Sequence, residues 1–268
     1  DCWPFTGHCC YFDFAGCPRW RTGCHTCPET RTYPASLWRD RSRRNWQQKR
    51  ALFGAIDRLT LVPVSRWLAG IAGQSFLGDK PIRQIYNGTD TEVFAPAPAE
   101  AVAQVRAQYG LDDRFVVLGC ASEWVPRKGL GEFGRLRARC GDDVAIVVVG
   151  VTGRQLAKLA PGVTGVMRTD SVAQLAALYS AADLVVNPSF EDNFPTVNLE
   201  ALSCGTPVCT YRSGGSPEAV TSETGFVVDQ GDVEGIVRAI GQVRARGSKA
   251  YAAACRDRVL SAFRQQDR

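Results

Sequence analysis

The sequence predicts an α/β fold carried by a parallel β-sheet with helices on both faces. From Phe115 onward, short apolar runs recur with helical stretches between them, the pattern of strands buried on both sides. Polar segments at 122–128, 189–193 and 213–216 each follow one of these runs. Ligands of open parallel sheets bind beyond the carboxyl ends of strands, so the three segments are expected to meet on one rim. Strands are expected at 115–120, 145–150, 165–168, 183–187, 207–210 and 225–228, and helices at 172–181 and 196–203.

Upstream, residues 1 to about 50 are rich in Cys, aromatic and Arg residues without regular periodicity, and read as an irregular insertion. Residues 51–58 suggest a helix end and 59–64 a buried strand. Ser65 is placed to cap a helix running to about Phe76, because its hydroxyl can accept from a free N–H of the first turn. A short strand at 82–85 leads to Tyr86-Asn87-Gly88-Thr89-Asp90, where Asn-Gly marks a turn. Residues 249–268 read as a terminal helix. The expected division is 1–88, 89–250 and 251–268, with the Cys-rich insertion inside the first part.

With 268 residues, 45% hydrophobic and 22% charged, the chain can bury one full core and part of another. No apolar run has the length of a membrane-spanning helix. The net charge of +5 is uneven: Arg39, Arg41, Arg43, Arg44, Lys49 and Arg50 stand against one acid, Asp40. This run fits a solvated helix face, and equally a contact with anionic lipid headgroups or a pyrophosphate-bearing acceptor.

The segment from Asn187 to Val208 carries the most chemistry. Glu191 and Asp192 precede Pro195 at an expected first helical turn, and Glu200 lies further down that helix. A helix N-terminus offers free N–H groups and partial positive charge to a diphosphate, while carboxylates accept from sugar and ribose hydroxyls. Arg127-Lys128-Gly129 follows the first strand and can neutralise charge on a leaving diphosphate. Ser213-Gly214-Gly215-Ser216-Pro217-Glu218 ends a strand and opens another helix, and its two glycines let backbone N–H groups approach a phosphate. No Asp-x-Asp motif follows a strand, and Asp112-Asp113 and Asp142-Asp143 sit in loops without neighbouring ligands.

Together these residues resemble the carboxylate signature of retaining GT-B glycosyltransferases of the glycosyl transferases group 1, or family 4, type. The resemblance implies two Rossmann-like domains with the active site between them. This chain would hold one nearly complete Rossmann-like C-terminal, donor-binding domain and the tail of an acceptor-side domain, with its N-terminal part missing. That leaves the catalytic competence of these residues alone in question. The signature spaces its carboxylates as Glu, seven residues, Glu, and from Glu200 that offset lands on Asp192, one residue past Glu191. Either Asp192 takes the first carboxylate's place, contacting the transferred sugar, or the loop shifts to present Glu191.

The resemblance implies that Glu200 holds the nucleotide ribose, and that Asn193, Phe194, Pro195, Thr196, Gly214 and Gly215 complete the donor site. Of the family's Arg and Lys pair, the Lys matches Lys128. The Arg position holds Glu123, with Arg127 the nearest substitute. The implied reaction needs no catalytic cofactor: a sugar leaves a nucleotide-sugar donor with retention, and the leaving phosphate takes the acceptor proton. The acceptor is a glycan or a polyprenyl-diphosphate-linked glycan, in the cytoplasm or at the inner face of the membrane. The segment from Asp1 to Cys9 resembles exopolysaccharide and colanic-acid type transferases, which implies bacterial surface-polysaccharide assembly. A UDP-sugar epimerase of the same fold and a non-catalytic nucleotide-binding remnant are the alternatives.

Six cysteines crowd into the first 27 residues beside His8 and His25. Cys24-x-x-Cys27 is half of a zinc pattern, and Cys9 with Cys17 can complete a structural Cys₄ site. Buried free thiols and disulfides remain the other readings. The spacing does not fit the common zinc knuckles, so no nucleic-acid partner is expected.

Overall fold

The computed structural model describes residues 2–36, 38–111 and 113–267; Asp1 and Asp112, named above, lie outside them. The chain forms two compact units, Asp1–Tyr86 and Asn87–Arg268.

The first unit has helices α1 (Ser42–Gly54) and α2 (Arg66–Gly73). The expected irregular insertion is more ordered than its lack of period suggests. Phe5, Phe12 and Trp20 pack with Leu68 and Leu77 in one buried cluster, and the Trp20 ring lies 5.3 Å from that of Phe5 and 4.9 Å from that of Phe12. Turns bring these aromatics together, so no helical or strand period announces them. The insertion also ends before position 50, because α1 begins at Ser42.

That helix divides the basic run. Arg39, Arg41, Arg43, Arg44 and Arg50 are exposed. Lys49 is buried: its Nζ donates to the carbonyls of Trp3 at 2.7 Å and Thr6 at 2.9 Å, and lies 3.4 Å from the Trp3 ring centroid. Burial lowers the Lys49 pKa to about 8.

The strands expected at 59–64 and 82–85 are reduced to an isolated parallel bridge, Leu61 to Ile82, with flanking backbone hydrogen bonds. Pro63 and Pro81 have no N–H to extend the ladder. Val62 is 54% exposed rather than buried. Ser65 caps α2 as expected, its hydroxyl accepting from Leu68 N at 3.1 Å.

In the second unit the strands are β1 (Phe115–Cys120), β2 (Val144–Val149), β3 (Val163–Val166), β4 (Leu184–Asn187), β5 (Val208–Tyr211) and β6 (Gly225–Val228). They form one parallel sheet in the order β3-β2-β1-β4-β5-β6, the doubly wound Rossmann arrangement. β2 is buried along its whole length, as its unbroken apolar run requires. β3 starts two residues earlier than expected because its register is fixed by β2, with Ile146 opposite Val163, and Met167 beyond it is 59% exposed.

Helices α3 (Ala99–Gln108), α4 (Leu130–Arg137), α5 (Gly153–Leu156), α6 (Val172–Ala181), α7 (Thr196–Ser203), α8 (Val233–Arg246) and α9 (Ala252–Ala262) connect and flank the strands. The expected terminal helix is shorter, and α9 packs on α7. Arg256 of α9 donates to the carbonyls of Thr91 and Phe94, and Thr89 bonds to the backbone of Phe263 and Gln265. The end of the chain is thereby tied to the start of its own unit. Among the described residues no helix is long and apolar enough to cross a membrane.

Candidate functional site

β1 and β4 lie side by side, while β2 continues to one side and β5 to the other. The chain leaves their carboxyl ends in opposite directions, which opens a crevice. A pocket of about 230 Å³ occupies it. Ser122, Trp124 and Lys128 line it from the loop after β1, Ser189 and Asp192 from the loop after β4, and Thr196 from the first turn of α7. Phe194 and Pro195 also reach it; the Phe194 ring is 3% exposed and packs 5.5 Å from that of Phe263.

The three expected segments do share this rim. Lys128 Nζ is paired with the Asp192 carboxylate. Arg127 donates from its guanidinium to Glu191 O at 3.1 Å and accepts at its own carbonyl from Phe190 N at 2.7 Å. Ser213 Oγ donates to Ser189 O at 2.6 Å, and Gly215 N to Asp192 O at 3.0 Å. Beneath the rim, Asn187 Nδ2 donates to Asn198 Oδ1 at 2.9 Å and Asn198 Nδ2 to Ser216 Oγ at 3.0 Å, while Ser189 Oγ donates to Asn187 Oδ1 at 2.7 Å. A buried network with its partners met holds one geometry, so the loops are set before any ligand arrives.

The two candidate carboxylates, left open by the sequence, are placed differently. Glu191 is 1% exposed and lies beneath the rim, whereas Asp192 lines the pocket beside Lys128. The carboxylate at the signature's spacing is therefore the one in the pocket. Of the Gly214-Gly215 pair, expected to offer N–H groups to a phosphate, one N–H is already taken. The Gly215 N–H is spent on Asp192 O, and a Cβ on Gly214 would lie 1.9 Å from that same oxygen. These glycines serve the approach of the two loops. Glu123, the charge reversal in the first loop, is exposed and is not among the pocket-lining residues.

Glu200 is not among the pocket-lining residues either; it lies one turn below Thr196 on α7. Its Oε2 accepts from Tyr179 Oη at 2.9 Å. Burial raises the Glu200 pKa, and hydrogen bonds from Tyr179 and Thr196 oppose that rise. Tyr179 is fully buried, which pushes its hydroxyl well above the usual range. Cys120, also on the pocket wall, is held up to about 11 by burial. Sequence reasoning missed Tyr179, Trp124 and Cys120. Trp124 sits inside a segment already expected on the rim, but Tyr179 comes from an otherwise ordinary apolar helix. Asn193 is half-buried.

Residues 115–245 match the family described as Glycosyl transferases group 1. The chain is 34% identical, over 70% of its length and 54% of the relative's, to a GDP-mannose-dependent alpha-(1-6)-phosphatidylinositol monomannoside mannosyltransferase of Mycolicibacterium smegmatis. It is 32% identical, over 61% of its length and 39% of the relative's, to a D-inositol 3-phosphate glycosyltransferase of Mycobacterium sp. strain KMS. The chain thus spans about half the length of these relatives, and neither is named for exopolysaccharide or colanic-acid assembly.

Among solved structures, sucrose-phosphate synthase from Thermosynechococcus elongatus superposes with a TM-score of 0.71 at 23% identity, covering 91% of this chain and 63% of that one. Anabaena HepE in complex with UDP-glucose gives 0.70 at 23% identity, covering 84% and 65%. At that identity the likeness concerns the fold, which is the GT-B type. The likeness to the glycosyl transferases group 1 family rests on residues 115–245, within the second unit.

Proposed function

We propose that the second unit binds the donor of a retaining glycosyltransferase, which moves a hexose from a nucleoside diphosphate sugar to a lipid-linked or glycan acceptor. The observation that carries the reading is the pocket at the β1/β4 switch point, which Lys128 and the first turn of α7 both line. Lys128 and the free N–H groups of that turn offset charge on the diphosphate as it leaves. Asp192 accepts from a hydroxyl of the transferred sugar, Glu200 accepts from the ribose, and the leaving phosphate takes the acceptor proton. Arg127, Asn193 and Glu191 hold the loop that presents Asp192. GDP-mannose is the first donor to test, because the M. smegmatis relative is named for it. The exposed arginines of α1 and its approach suit an anionic lipid surface or a pyrophosphate-bearing acceptor, in keeping with work at the inner face of a membrane on surface polysaccharides. A sugar epimerase would want a His in the site, and both histidines of the chain, His8 and His25, lie in the first unit.

Calorimetric titration of the chain with GDP, UDP and ADP is expected to show binding with one base preferred. Glu200→Gln should weaken that binding by roughly ten- to a hundredfold, the worth of a hydrogen bond to a charged group. Burial raises the Glu200 pKa, and the ribose requires the carboxylate. Affinity should therefore fall as pH drops through the raised value, starting above the ordinary Glu range. For the empty fold the sign reverses: the stability linked to a raised carboxyl is present below the ordinary pKa and is lost as pH rises through the raised one. A Glu200→Gln chain that keeps both its affinity and the acid-side loss would remove Glu200 from the ribose contact.

A further inference from the structure

Four cysteines of the crowded N-terminal segment, Cys9, Cys17, Cys24 and Cys27, line a single cavity in the first unit. The cavity has about 20 Å³ of room, enough for one ion or one water and too little for an organic ligand. A buried polar atom on its wall, His8 Nε2, on a side chain 8% exposed, has no hydrogen-bond partner. Buried polar atoms are nearly always satisfied, so an orphan on so small a cavity points to a missing occupant.

The backbone is arranged for thiolates as well. Gly7 N donates to Cys24 Sγ at 3.2 Å, and the N–H groups of Glu29 and Cys9 donate to the sulfur of Cys27. Outer hydrogen bonds of this kind orient metal-bound sulfur and offset its charge. A Cβ at Gly7 would lie 2.1 Å from Ser42 O and 2.7 Å from Cys24 Cβ, so only glycine allows this approach. None of the four is joined in a disulfide in this structure.

We propose that this cavity is a structural zinc site in which Cys9, Cys17, Cys24 and Cys27 are the ligands and His8 donates a hydrogen bond into the thiolate shell. Four soft sulfur ligands in a closed site suit tetrahedral zinc and leave no position open for chemistry. Among the described residues no group of three or more His, Cys, Asp or Glu side chains is placed to hold a metal ion as the structure stands, so binding requires the four thiols to turn inward. The aromatic cluster of Phe5, Phe12 and Trp20 gives the segment a core of its own. Metal therefore adds rigidity to a segment that is already packed, and its loss should lower stability without unfolding the whole unit.

The test uses the whole chain, purified under reducing conditions and analysed for metals. About one zinc per chain is expected. Cobalt substitution should give the intense visible and near-ultraviolet bands of a tetrahedral thiolate site. Cys17→Ser and Cys24→Ser should lose metal and those bands while keeping the circular dichroism of the parent, whereas Cys140→Ser, in the second unit, should keep both. His8→Ala should retain the metal but release it faster to a chelator. If the parent binds no zinc even after reconstitution, or cobalt binds with the weak spectrum of an octahedral oxygen site, the proposal fails. Metal that survives both Cys17→Ser and Cys24→Ser would overturn it too. Variants that lose their circular dichroism leave the parent's stoichiometry and cobalt spectrum to decide.

Discussion

Lys128→Ala is expected to weaken nucleoside diphosphate binding by roughly ten- to a hundredfold, the scale of losing one hydrogen bond to a charged group. The pocket is lined by Lys128 and by Asp192, and in the empty protein these two are paired. Asp192 therefore neutralises the charge that a diphosphate would use. Asp192→Asn should have the opposite effect, tightening nucleoside diphosphate binding while impairing transfer of the sugar it is proposed to hold. Arg127→Ala should cost less affinity, because Arg127 is directed to the Glu191 carbonyl and is not among the residues lining the pocket. Titration of the three variants against one nucleotide separates these cases. If Arg127→Ala were the most damaged, the loop after β1 would present the diphosphate with Arg127 rather than Lys128.

Most of the second unit was legible because its physics is local. Buried parallel strands need continuous apolar runs, and β1, β2 and β6 are found within a residue of their expected bounds. α6 and α7 match theirs because Ser171 and Pro195 mark their starts. The first unit was less legible. Phe5, Phe12 and Trp20 form a core through turns, which leave no period to read, and α1 was hidden by a run of arginines whose apolar partner face is narrow. At the site, spacing picked out Asp192 and Lys128. What it could not supply was which way a side chain faces. Glu191 and Asp192 are neighbours in sequence, yet one is sealed beneath the rim and the other opens into the pocket. Tyr179 was missed for the same reason: its hydroxyl matters only because the fold brings α6 against Glu200.

Gly214→Val is expected to destabilise the second unit by about 3 kcal/mol or more and to abolish nucleotide binding, through two separable penalties. The first is conformational. Gly214 has φ +52°, a left-handed backbone that costs a residue with a Cβ about 1 kcal/mol, and a β-branched one more. The second is steric: the new Cβ would lie 1.9 Å from the carbonyl oxygen of Asp192, a backbone atom that no rotamer change can move aside. Relief requires the loop after β4 to retreat, which breaks the bond from Gly215 N to Asp192 O and draws Asp192 away from Lys128. Gly110→Ala provides the control, since Gly110 has φ +61° but nothing within 4 Å of its would-be Cβ. That variant should lose only about 1 kcal/mol and bind nucleotide normally. Gly214→Ala, with the same side chain as the control, should then exceed it by the steric part alone. Denaturant unfolding of the three variants, followed by titration with the nucleotide the parent prefers, reads both effects. Equal losses in Gly214→Ala and Gly110→Ala, with binding intact, would mean that the two loops can separate freely and that their close approach does not set the position of Asp192.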